Sequence, residues 1–189
     1  MKKRTKLPII LSLLAALFLI LGACSNSDDK NKEDKEEMGH SEMDMNHSSS
    51  GDVPEELKAA EKPTYEVGSQ AIIKSGHMEG MRGAEATIVG AFDTTAYAIS
   101  YTPANGEEKV ENHKWIIQEE IKDAGEKTYE PGAKVTVNAS HMEGMNGTVA
   151  EVESAEKTTV YMVDYTPTTG GEKVKNHKWV TESELSASE

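Results

Sequence analysis

Six histidines and eight internal methionines are the residues of this chain whose chemistry is most specific, and they keep company. His77-Met78-Glu79-Gly80-Met81 recurs as His141-Met142-Glu143-Gly144-Met145, sixty-four residues later. The same offset carries Asn112-His113-Lys114-Trp115 onto Asn176-His177-Lys178-Trp179. The two remaining histidines, His40 and His47, stand among Met38, Met43 and Met45 in a short polar tail. Thioether is a soft metal ligand and imidazole a borderline one, so the pairing suits Cu(I), Ag(I) and, through histidine, Cu(II).

Each group has a functional and a bland reading. In the tail, Met38, His40, Met43, Met45 and His47 lie close enough for a flexible chain to wrap several around one ion, and exposed methionines otherwise serve little there. In the repeated loops, a bend at Gly80 or Gly144 would bring His77 to Met81 and His141 to Met145, the ligands we expect. The bland alternative makes Met78, Met81, Met142 and Met145 adaptable filler at a barrel end, with His77 bonded to a backbone carbonyl. His113 and His177 read first as structural residues beside a core tryptophan, and second as completing a His/Met site.

The elements that must position these residues are two copies of one unit. Tyr65–Ile121 and Tyr129–Leu185 align without a gap and share 26 of 57 residues, which marks a duplication. Each copy reads as β. Short apolar runs at 71–74 and 135–138 precede the methionine loop; possible strands at 86–91 and 150–154 follow it. Alternation is clearest at Thr95, Tyr97, Ile99, Tyr101 and at Thr159, Tyr161, Val163, Tyr165. Pro103–Gly106 and Pro167–Gly171 make hairpin turns, and final strands start at Lys114 and Lys178. Five short strands in under sixty residues predict an all-β chain of two tandem SH3-like barrels, 63–122 and 127–186. Units so small are marginal alone, so the copies are expected to pack together.

Ahead of them, Lys2, Lys3, Arg4 and Lys6 precede an apolar run from Leu7 to Leu21. That run is short for a membrane span and suits an export signal, residues 1–23. It ends in Leu21-Gly22-Ala23-Cys24, which resembles a bacterial lipobox and implies cleavage before an acylated Cys24. Residues 24–62 are polar and poor in aromatics, as expected of a disordered tether, with a short helix conceivable at 53–61. Cys24 is the single cysteine, so no internal disulfide forms. Loss of residues 1–23 removes four basic residues and no acidic one, moving the formal charge from −13 to −17. Such a surface repels nucleic acid and attracts cations.

Tandem copies of a unit running from His-Met-Glu-Gly-Met through Tyr-Thr-Pro to Asn-His-Lys-Trp, behind a lipobox, resemble the YdhK-type lipoproteins, a family whose repeat is of unknown function. One branch, the CopL-type surface lipoproteins, implies copper binding and copper tolerance. The resemblance, with the Met/His tail, leads us to expect a monomeric, lipid-anchored protein on the outer face of the cell membrane. It would sequester copper ions, bind silver too, and have a copper exporter as the conceivable partner. No nucleophile elbow, phosphate loop or HExxH motif is present, and no enzymatic activity is expected. The competing function is a wall- or peptide-binding module, which needs tyrosines and tryptophans exposed along a groove.

Overall fold

The computed structural model describes residues 47–188. The expected signal peptide, Cys24, and the tail ligands Met38, His40, Met43 and Met45 lie outside them. The described residues are all-β, with seven antiparallel strands and two three-residue 3-10 turns. The strands are β1 (Gln70–Ile73), β2 (Glu85–Tyr101), β3 (Val110–Ile117), β4 (Lys134–Thr136), β5 (Val149–Tyr165), β6 (Val174–Thr181) and β7 (Leu185–Ala187). The 3-10 turns, Gln118–Glu120 and Glu182–Glu184, follow β3 and β6.

The expected pairs of short strands on either side of residue 93, and again near 157, are each one continuous strand of 17 residues. No glycine or proline interrupts Ala91-Phe92-Asp93-Thr94-Thr95, and its threonines favour extended backbone. At ~3.3 Å per residue such a strand is too long for one small barrel. It therefore runs out of one barrel and into the next. β2 and β5 lie antiparallel along their whole length, from Ala86 opposite Tyr165 to Tyr101 opposite Ala150. The sheet order is β4-β5-β2-β1-β7, with β3 on β2 and β6 on β5.

This crossing mixes the repeats. One core joins Ile73, Met81 and Ile88 of the first copy to Tyr161, Val163, Val180 and Leu185 of the second. The other joins Tyr97, Ile99 and Ile116 of the first to Val135, Val137, Met145 and Val152 of the second. Each barrel-like half is thus built from both repeats, and 63–122 and 127–186 are units of sequence but not of packing. A third cluster between the halves holds Leu57, Trp115, Ile117, Val160 and Trp179.

Loop contacts lock the exchange. Thr168 N–H donates to the Gly80 carbonyl at 2.8 Å, and Ala104 N–H to that of Gly144 at 2.9 Å. The tip of each methionine loop therefore rests on the hairpin of the other repeat. Gly80 has φ +71°, and a Cβ there would stand 2.7 Å from that of Pro167, so glycine is required twice over.

The tether expected over 24–62 is not loose throughout. From His47 onward it lies against the sheet: Leu57 is buried and Ala59 bridges to Phe92. The short helix expected over 53–61 is absent; Leu57 N–H donates to Pro54 in a turn.

Candidate functional site

Two carboxylates organise the space between the halves. The backbone turns sharply after β3 and β6, and the 3-10 turn brings the glutamate at its third position back over the strand end. Glu184 accepts from the Thr181 N–H at 3.0 Å, and Glu120 from the Ile117 N–H at 3.2 Å. Both are buried. A buried carboxylate needs donors on its remaining lone pairs, and the opposite repeat supplies them. Glu184 takes His77 Nε2 at 2.7 Å and Trp115 Nε1 at 2.8 Å. Glu120 takes His141 Nε2 at 2.8 Å and Trp179 Nε1 at 3.0 Å. Burial by itself raises the Glu184 carboxyl, but the bond and charge of His77, with the Thr181 and Trp115 donors, outweigh it and hold the pKa below the ordinary value.

These bonds fix the rings. With Nε2–H given to a carboxylate, the Nδ1 of His77 and of His141 is the ring nitrogen left for another partner. Both Nδ1 atoms are buried and have no protein partner, and the same is true of Nε2 in His113 and His177. All four rings line one cleft of about 1280 Å³, with His47, Met78, Met142 and both glutamates. Buried polar atoms are nearly always paired, so these four imidazole nitrogens call for a partner beyond the protein, either ordered water or a ligand. His113 and His141 lie with ring centroids 6.3 Å apart. Burial, then the nearby imidazoles, pushes His113 down to about 4 and His177 to about 3, so both are neutral lone-pair donors at pH 7.

The expected ligands divide. His77 and His141 face the cleft, whereas Met81 and Met145 are fully buried in the two apolar cores. Their sulfurs fill the barrels, as the bland reading had it, because the loop turns them inward and leaves Met78 and Met142 at the cleft wall. His77 bonds a carboxylate instead of a backbone carbonyl. His113 and His177 pack edge-on against Tyr101 and Tyr165, and no hydrogen bond closes off their Nε2 atoms. Among the described residues no group of three or more His, Cys, Asp or Glu side chains is already drawn together as a metal cage. A site here needs thioethers or a small closure of the rings.

Tyr97, Tyr101, Tyr161 and Tyr165 are buried, as are both tryptophans, while Tyr65 and Tyr129 are half-buried. Sequence reasoning missed Glu120 and Glu184 as site residues. The signal was present, since glutamate stands at the same place in both copies, but it is one among many acidic residues.

Comparison with known proteins agrees with the duplicated architecture. The family described as "Protein of unknown function (DUF1541)" matches at residues 67–118 and again at 131–182. An uncharacterized protein of Bacillus subtilis, YdhK, is 59% identical over 177 residues, covering 93% of this chain and 86% of its own length. A crystal structure of that DUF1541 protein superposes with a TM-score of 0.74 at 66% identity, over 77% of this chain and 99% of the other. A solution NMR structure of the YdhK C-terminal domain gives 0.62 at 70% identity, over 65% and 92%.

Proposed function

Since the chain belongs to the DUF1541 family, we propose that its cleft is a copper-binding site and that the protein sequesters copper outside the cell membrane, anchored through Cys24. One observation carries this: four imidazoles, drawn from both repeats, line a single cleft, and each keeps a buried ring nitrogen without a protein partner. The carboxylates behind His77 and His141 support it, because metal-binding histidines commonly donate their second N–H to a carboxylate. Met78 and Met142 add soft donors at the wall, which favours Cu(I) or Ag(I) over harder ions. The ligand set is therefore His77, His113, His141, His177, Met78 and Met142, with Met38, His40, Met43, Met45 and His47 as a second class upstream.

Buffering follows from the charge distribution. An acidic surface concentrates cations, the tether holds the trap near the membrane, and handover to an exporter would use the same soft ligands.

The test is a Cu(I) titration of the mature chain against a competing chelator. Replacing His77, His113, His141 and His177 together by alanine should remove the cleft class of sites and leave the tail class. Unchanged stoichiometry and affinity in that variant would remove the cleft from the proposal.

A further inference from the structure

The two halves of the cleft match each other closely except along one flank. There the chain entering from the tail crosses the second repeat. Lys175 N–H donates to Ser48 Oγ at 2.9 Å, and Ser49 N–H returns to the Lys175 carbonyl at 3.0 Å. Ser49 Oγ donates to the Asn176 carbonyl at 2.7 Å, and Asn176 Nδ2 to the Ser49 carbonyl at 3.1 Å. Lys178 Nζ reaches the Asp52 carbonyl. Leu57, buried in the cluster around both tryptophans, pins the far end. The equivalent Asn112 of the first repeat is exposed where Asn176 is half-buried.

This strap begins at His47, which is half-buried and lines the cleft with the four repeat histidines. We infer that His47 is a fifth imidazole ligand of the cleft, carried in by the strap, so that the metal capacity of the two halves is unequal. The inference rests on the metal-binding function proposed above. Two further facts favour it. A ligand already held by backbone bonds loses less freedom on binding than one recruited from a loose chain. His47 is also the last ligand-type residue of the tail, so tail and cleft share it.

The experiment uses the full mature chain with Met38, His40, Met43 and Met45 replaced by serine, so that the tail does not compete. Ag(I), a redox-silent stand-in for Cu(I), is titrated against a chelator while the amide signals of residues 48–52 are followed by NMR. His47→Ala should weaken the tightest site by about tenfold or more, at least what loss of an outer-shell partner costs. Asn176→Gly keeps every imidazole and suits the φ of +52° at that position, but removes the side-chain bond to Ser49. It should weaken binding in the same direction, whereas Asn112→Gly, also at φ +52°, should not. Silver should shift the 48–52 amides in the parent and not in His47→Ala. Unaltered affinity in His47→Ala, with the amide shifts retained, overturns the assignment. If replacing the four repeat histidines leaves binding intact, the metal function of the cleft itself falls.

Discussion

His77 and Glu184 stand 107 residues apart in the chain and 2.7 Å apart in space. Their counterparts, Glu120 and His141, repeat the contact at 2.8 Å from the other direction. Each imidazole in the methionine loops is therefore oriented by a carboxylate belonging to the other repeat.

Removing that charge while keeping its shape should loosen the site. Glu184→Gln, or Glu120→Gln, is expected to weaken Cu(I) affinity by about 10–100-fold, the usual effect of losing a partner behind a metal-binding histidine. Stability should also fall by about 1.5–3 kcal/mol, since charge-assisted bonds to buried donors are lost. Chelator competition and thermal melts read the two effects separately. A wild-type affinity in both glutamine variants would contradict an orienting role.

The methionines give a crossed test. Met81→Ala or Met145→Ala should cost about 2–5 kcal/mol through cavity formation in a barrel core, with copper stoichiometry unchanged. Met78→Ala with Met142→Ala should cost less stability, since both are only partly buried against the cores, and should weaken soft-metal binding. Copper loss from the core pair, in a protein that still melts normally, would return Met81 and Met145 to the ligand set.

Expressed alone, residues 63–122 should yield no folded monomer. Half of each core is missing, since Tyr161, Val163 and Leu185 complete one barrel and Val135, Val137 and Val152 the other. Sedimentation with circular dichroism decides the point. A cooperative monomeric β fold from one repeat would show that the halves do not depend on each other.

Alkaline pH should destabilise the fold through Tyr161. Burial, opposed by the Tyr65 N–H and reinforced by Glu182, pushes its hydroxyl up to about 12 from 10.0. Between those values the unfolded chain gives up a proton that the folded chain keeps. The unfolded state then binds fewer protons, and stability falls as pH rises from 10 toward 12. Tyr65 packs edge-on at 5.6 Å and Glu182 accepts from the hydroxyl at 3.2 Å, so both belong in the analysis. Denaturant melts across the window should show a shallower decline in Tyr161→Phe; identical declines would place the titration elsewhere.

The periodicity around Tyr97 and Tyr161 and the Thr-Pro turns were sufficient to identify the β architecture. Their strand partners were not readable, because alternation says which face a residue takes and nothing about which copy it meets. Two nearly identical repeats offer the same apolar pattern to themselves and to each other, and only the unbroken run through Asp93 hints that the strand goes on. At the site, the repeated histidines were conspicuous because the residue is rare. Glu120 and Glu184 were hidden among the chain's 33 acidic residues. Met78 and Met81 differ in outcome through the turn of one loop, a distinction that spacing does not carry.

The long crossing strands also set an order of events. A chain emerging from its N-terminus presents His77 107 residues before Glu184 exists, and the first barrel is incomplete until β5, β6 and β7 have followed. A product cut short between residues 177 and 184 keeps every histidine in this protein yet loses the carboxylate that aims one of them. The cleft is in that sense the last thing the chain makes, completed by a handful of residues at its far end.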